Sequence, residues 1–188
     1  NGTIELVNVT VIEIVKPLLV VDPMDVTLEK EAGDFTVDVT NKGFCTVDID
    51  VDWIKFNGLA TDKAMFSFEA YEQKAAPRKA TITFTVTKGD RESVVPVSVT
   101  QYGITPEPVA IADAVKSEKG TWLSVEGTVT GIHNDGLIVT DKAGNALYGY
   151  VKGAPSAKIG DVVLMTGKLG NYKQFHQIET PVIRVQKS

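Results

Sequence analysis

Hydrophobic and polar residues alternate with a period of two along most of the chain. From Lys79 to Thr87, Ile82, Phe84 and Val86 alternate with Thr81, Thr83, Thr85 and Thr87. After the turn Lys88-Gly89-Asp90, the run Ser93 to Thr100 sets Val95, Val97 and Val99 on one side. This spacing predicts a hairpin with one buried face. Pro96 has no amide donor, so its arm is expected to be an edge strand or to turn that position outward. The stretch Gln101-Tyr-Gly-Ile-Thr-Pro-Glu-Pro108 that follows reads as a linker. The hairpin therefore closes one β domain and leads into another.

Upstream, residues 3–15 are β-branched enough to disfavour helix, and one long or kinked strand is expected there before Lys16-Pro17. Short strands are expected at 18–21, 25–29 and 34–40, the last with Phe35, Val37 and Val39 on one face. The run Phe44 to Phe56 sets Val47, Ile49 and Val51 against Asp48, Asp50 and Asp52, and Met65 to Tyr71 reads as a further strand. Closely spaced strands separated by turn residues indicate an antiparallel sandwich.

Past the linker, Pro108 to Lys116 is the one good helical stretch, stopped by Gly120. A long strand Trp122 to Ile132 contains Gly127 and Gly131, which in a strand often mark bends at barrel corners. Asn134-Asp135-Gly136 predicts a hairpin turn. Leu137 to Thr140, Ala146 to Val151, Val162 to Leu169 and Gln174 to Val185 complete five strands, with Gly170-Asn-Tyr-Lys173 expected to turn the chain into the last one. The expected organisation is all-β: an N-terminal strand or extension over 1–16, a sandwich over 17–104, and a five-stranded barrel with one short helix over 105–188.

Charge follows that division. The chain of 188 residues has formal net charge −5. Residues 1–104 carry 10 basic and 16 acidic side chains (−6), and residues 105–188 carry 9 and 8 (+1). Neither half has the basic surplus of a general nucleic-acid binder. Cys45 is the single cysteine, so an internal disulfide and a cysteine metal cluster are excluded. Its place in a strand pattern suits a small buried hydrophobe. No apolar run reaches the roughly 18 residues of a membrane helix.

Two resemblances enter here. Asp22-Pro, Gly33, Phe35-Thr-Val-Asp-Val-Thr, Trp53-Ile, Arg78-Lys-Ala-Thr-Ile and Val99-Thr-Gln-Tyr-Gly103 resemble the BACON domain over roughly Leu18 to Ile104. BACON domains are immunoglobulin-like β-sandwiches frequent in secreted Bacteroidetes proteins. Phe44 stands where that family often has a Trp. Gly127-Thr-Val-Thr, Ile159-Gly-Asp-Val-Val and Gly167-Lys-Leu resemble an OB-fold over about Pro106 to Val185. The first resemblance implies an immunoglobulin-like sandwich and an extracellular or cell-surface setting, with any lipid anchor in a removed N-terminal segment. Its family is associated with carbohydrate or mucin binding and with spacing between other modules. The second implies oligonucleotide or oligosaccharide binding on the face of strands two and three, flanked by the loops after strands one and four.

Candidate ligand-binding residues follow on that face. Tyr148 and Tyr150, two apart, point to one side of the third barrel strand. His133, Asn134 and Asp135 occupy the loop after the first, and Asn171, Tyr172, Lys173, Gln174, Phe175 and His176 follow the fourth. Aromatic rings there suit stacking on sugars or bases, or else Phe175 and one tyrosine complete the barrel core. His133 and His176 could meet as a pH-sensitive patch. Trp53 is either a sugar platform or a core anchor, and Trp122 is core, a seal between domains or a ligand platform.

Asp48, Asp50 and Asp52 suggest Ca²⁺, but successive same-face positions lie roughly 6–7 Å apart, which favours a solvated face. No metal-ligand spacing, nucleophile elbow or phosphate loop is present, so no catalytic residue, metal or cofactor is expected. The expected function is a non-enzymatic carbohydrate-binding or adhesion module of a secreted or surface protein. Its partners would be a polysaccharide, a glycoprotein glycan or other surface proteins. A ligand-free spacer, or single-stranded nucleic-acid binding through the barrel, is the alternative.

Overall fold

The computed structural model describes residues 17–188. The strand or extension expected over 1–16 lies outside them. The described chain is nearly all-β, with thirteen strands and one short helix. In chain order they are β1 (Leu19–Asp22), β2 (Asp25–Leu28), β3 (Gly33–Asn41), β4 (Phe44–Ile49), β5 (Ile54–Ala60), β6 (Lys63–Phe68), β7 (Arg78–Lys88), β8 (Arg91–Gln101), α1 (Ile111–Ala114), β9 (Trp122–His133), β10 (Gly136–Thr140), β11 (Ala146–Tyr150), β12 (Val162–Tyr172) and β13 (Phe175–Lys187).

The first eight strands form two four-stranded sheets, ordered β1-β3-β6-β5 and β2-β8-β7-β4. Alternation dictates their faces. Along β7, Ala80, Ile82, Phe84 and Val86 are buried while the threonines between them are half-exposed. Val37, Val39, Ala64 and Phe66 of one sheet share a core with Ile82, Phe84, Val86, Val97 and Val99 of the other. Phe66 is central: its ring stacks on Phe35 at 5.0 Å and meets Phe84 edge-on at 6.2 Å.

One end of this core is closed by a polar knot. Arg78 and Gln101 face each other across β7 and β8 on the buried side. Gln101 is 0% exposed. Its Oε1 accepts from Arg78 Nε at 2.8 Å, and its Nε2 donates to the carbonyls of Glu29 and Glu69 at 2.9 and 3.0 Å. The Arg78 guanidinium lies over the rings of Trp53 and Tyr71, 4.1 and 4.8 Å from their centroids. Burying these groups is tolerable because each finds a partner. Gly103 follows directly, where a Cβ would overlap the carbonyl of Gln73.

Several expectations are corrected. Of the two alternatives for the Pro96 arm, the outward one holds: Pro96 is exposed, although β8 as a whole lies between β2 and β7 and is not an edge strand. β2 pairs only with Ser98 to Gln101, so at Pro96 β8 has the single neighbour β7 and the missing amide costs no ladder bond to β2. The run Phe44 to Phe56 is two strands in different sheets, because the chain crosses between layers after Ile49. Asp50 accepts the amide of Thr81 at 2.8 Å, beyond the end of β4. The three aspartates therefore do not line one strand, and among the described residues no cluster of three or more His, Cys, Asp or Glu could hold a metal. Cys45 is half-buried, and burial pushes its thiol pKa up.

The last five strands close into a barrel in the order β10-β11-β13-β12-β9. All pairs are antiparallel except β11 with β13. Val125, Val129, Leu137, Val139, Leu147, Val163, Met165, Leu169 and Ile178 fill it, and α1 adds Ile111 and Ala114. The helix is shorter than its composition suggests because Pro108 already bridges to Ser124 of β9 in extended form, with the Val109 amide bonded to the Ser124 carbonyl at 2.9 Å. β12 runs on to Tyr172, so Lys173 and Gln174, rather than Gly170 to Lys173, make the turn into β13.

The linker is fastened on both sides. The Ile104 amide donates to the Gln73 carbonyl at 2.9 Å, and the Ile104 carbonyl accepts from Trp122 Nε1 at 3.0 Å. Trp122 is half-buried and tied to the linker by this bond. Arg184 of β13 makes two bonds to the Glu29 carboxylate, at 2.6 and 3.2 Å, and lies 4.2 Å from the Tyr102 ring centroid.

Candidate functional site

Strand register assembles the site. Ile138 of β10 pairs with Tyr148 of β11, which pairs with Gln177 of β13. Paired positions share a face, so these three form a row across the outside of the barrel. Tyr150, two residues on, extends it along β11. Tyr172 and Phe175 face each other across the β12–β13 turn. Their side chains are 62% and 66% exposed, and Tyr150 is 38% exposed.

Two adjoining hollows of about 380 and 730 Å³ lie over this row and share Ile138, Tyr148, Tyr172 and Gln177. Phe175, His176, Ala146 and Leu147 complete the smaller one, and His133, Asp135 and Tyr150 the larger. The result is a groove that is apolar at the β12–β13 turn and polar at the β9–β10 turn.

Tyr148 is held rigidly. Its hydroxyl donates to Asp135 Oδ1 at 2.8 Å, and His133 Nδ1 lies 2.6 Å from the same oxygen. A Cβ on Gly136 would overlap the Tyr148 ring, so only glycine lets the ring lie across the start of β10. The hydrogen bonds from His133 and then Tyr148 hold the Asp135 carboxyl below the usual carboxylate range. Burial, and secondarily the bond to Asp135, pushes the Tyr148 hydroxyl up to about 12.

The two signs differ. For Asp135 the ionised form is favoured, so its contribution to stability is present above the ordinary carboxylate pKa and lost as pH falls through the lowered one. For Tyr148 the neutral form is favoured, and its contribution is present below the ordinary tyrosine pKa and lost as pH rises through about 12. Ultraviolet titration is expected to show one tyrosine ionising near 12, and Asp135→Asn is expected to bring that step down toward 10 without reaching it, because burial remains. An unchanged step in the variant would show that Asp135 does not hold the hydroxyl.

Of the residues expected at this face, Tyr148, Tyr150, Tyr172, His133 and His176 do line the groove. His133 lines the larger hollow and His176 the smaller. Asn134 and Asn171 are exposed outside the lining. Lys173 occupies the turn at φ 54, with its Nζ 5.5 Å from the Tyr172 ring centroid. Phe175 belongs to the groove and not to the barrel core.

Trp53 does not offer a sugar platform: it is 7% exposed in the sheet-pair core, beneath the Arg78 guanidinium. Ile138 and Gln177 were not foreseeable from local pattern. Ile138 shows as an outward position once β10 is phased, whereas Gln177 depends on the parallel register of β11 and β13.

Fold and groove together define an all-β protein with an open aromatic site on its barrel. No family model matches the chain, and no curated protein matches it. Among solved structures, the chain is similar to a Bacteroides ovatus GH5 xyloglucanase in complex with a XXXG heptasaccharide, at TM-score 0.40 and 11% identity over 69% of this chain and 30% of that one. It is also similar to a chimeric titin Z1Z2 functionalized with a KLER exogenous peptide from decorin, at TM-score 0.35 and 8% identity over 86% and 94%. The chain thus spans less than a third of the xyloglucanase. Likenesses this weak carry no argument about activity.

Proposed function

We propose that this chain is a non-enzymatic carbohydrate-binding or adhesion module of a secreted or cell-surface protein, built from a BACON-like immunoglobulin sandwich followed by an OB-fold. Topology supports the two fold assignments. The β1-β3-β6-β5 sheet has the A-B-E-D order, and β8-β7-β4 has the G-F-C order, with β2 added parallel to β8. Numbered within the barrel, β9 to β13 run 1-2-3-5-4 and close on strand 1. The groove lies on strands two and three between the loops after strands one and four, which is where OB-folds take oligomers.

The observation that carries the functional reading is the set of rings Tyr150, Tyr172 and Phe175, left open to solvent around a shallow hollow. Sugar rings present C–H faces that stack on such surfaces and hydroxyl edges that need polar partners. His133, Asp135 and Gln177 supply those partners in the larger hollow, beside Tyr150 and Tyr172. Asp135 is the single carboxylate lining either hollow among the described residues. Glycoside hydrolysis ordinarily needs two carboxylates flanking the bond, which favours binding without cleavage.

Calorimetric titration against soluble plant and host polysaccharides is expected to detect binding. Stacking of a nucleobase on an aromatic side chain is worth about 1–3 kcal/mol; with a sugar face in its place on the same scale, Tyr172→Ala and Phe175→Ala should each weaken binding roughly 5- to 150-fold. Absence of binding across the panel would refute this function. Unchanged affinity in both variants would move the site elsewhere.

A further inference from the structure

We propose that the groove selects uncharged pyranose chains over acidic ones, with Asp135 as the specificity-determining residue: its free carboxylate oxygen accepts hydroxyls of the sugar. This rests on the carbohydrate reading above and names the ligand class of that site. Four observations on the groove lead to it.

First, Asp135 uses one oxygen for both internal partners. Tyr148 and His133 both meet Oδ1, and among the described residues no other side chain bonds the carboxylate. The side chain is half-exposed and borders the larger hollow. A carboxylate accepts up to about four hydrogen bonds, so it has unfilled capacity facing the ligand. Two neighbouring ring hydroxyls are both donors and suit such an acceptor.

Second, among the described residues neither hollow is lined by Lys or Arg. The nearby cation is Lys173, whose ammonium lies toward the Tyr172 ring at the far, apolar end. A uronate, sulfate or phosphate laid along the row would come against Asp135 with no lysine or arginine in the lining to neutralise it; the basic group there, His133, is already engaged by Asp135. Like charges brought together in a partly desolvated site repel.

Third, the acid is locked in place. Tyr148 and His133 bind it from two sides, and Val151 fixes the turn through its amide bond to the Asp135 carbonyl at 2.8 Å. A preorganised acceptor adds selectivity without a large ordering cost. Fourth, the polar end adjoins a stacking surface. A pyranose lying on Tyr150 or Tyr172 would turn its hydroxyl edge toward Asp135 and Gln177.

The test is affinity electrophoresis in gels containing a neutral polysaccharide (a mixed-linkage glucan, a galactomannan or a xyloglucan) or an acidic one (polygalacturonate or heparin). Wild type, Asp135→Asn and Tyr148→Phe are compared, after near-ultraviolet dichroism has shown all three folded. Wild type is expected to be retarded by at least one neutral polymer and by neither acidic one. Asp135→Asn should lose roughly tenfold or more in neutral affinity, since a hydrogen bond to a charged acceptor is among the stronger ones, and should begin to retain acidic polymers. Tyr148→Phe breaks the bond to Oδ1 but keeps the charge, so it should still reject them.

Equal retention of acidic and neutral polymers by wild type would overturn the selectivity while leaving carbohydrate binding intact. So would neutral affinity undiminished in Asp135→Asn. Retardation by no polymer of either class would instead overturn the carbohydrate reading, and this inference with it.

Discussion

Gln101→Leu is expected to destabilise the sheet pair by about 2–5 kcal/mol. Leucine fills a similar volume, so the effect isolates the amide. Removing it strands the Glu29 carbonyl and Arg78 Nε, two groups whose bonds at 2.9 and 2.8 Å go to Gln101. Each buried polar group left unpaired costs about 1–3 kcal/mol. The Glu69 carbonyl is less affected because Arg78 Nη2 also reaches it, at 2.7 Å. The measurement is urea unfolding in a Trp122→Phe background, so that Trp53, stacked under Arg78, reports the knot itself. A loss below about 1 kcal/mol would mean that water replaces the amide and that the knot is not the closure of the core.

Phe66→Ala is expected to cost about 3–5 kcal/mol. Phe66 is fully buried and touches Phe35, Phe56 and Phe84, with centroids at 5.0, 5.5 and 6.2 Å. Three rings cannot all move into the space it leaves, so the cavity term adds to the lost transfer energy. Phe175→Ala is the matched control, since the same atoms are removed from an exposed position. Its expected effect on stability is within about 0.5 kcal/mol. The two variants separate core from groove in the same unfolding experiment. A loss below about 2 kcal/mol for Phe66→Ala would show that the ring cluster collapses to fill the void.

These contrasts also mark how far the amino-acid sequence alone reaches. The threonine-valine alternation of β7 and β8 reports their buried face directly, because period two is a local property. The split of Phe44 to Phe56 between two sheets is not local. Asp50 and Trp53 lie where the chain crosses layers, and an alternating pattern looks the same on either side of a crossing. Gly170 looks like a turn residue; instead it sits within β12, where a Cβ would overlap the Glu179 carboxylate. The real turn uses Lys173 at a positive φ that no composition rule would assign to lysine.

The tyrosines of the groove are legible because aromatic residues at strand ends stand out. The partnership of Asp135 with Tyr148 is not, since it needs the ring to fold back over Gly136. Arg78 and Gln101 belong to the segments that carry the BACON resemblance. Only the cross-strand geometry shows why those residue types stand there: they close the core at its open end.

β13 gives the molecule an order of assembly. It follows every other described strand, and it does three things at once. It closes the barrel between β11 and β12, contributes Phe175 and Gln177 to the groove, and carries Arg184 to Glu29. During synthesis from the N-terminus the sheet pair can complete itself while the barrel is still an open ribbon. Until the ribosome releases β13, there is no closed barrel, no complete groove and no ion pair to the first unit. The completed groove and the Arg184–Glu29 ion pair therefore arrive together, with the last strand of the described chain.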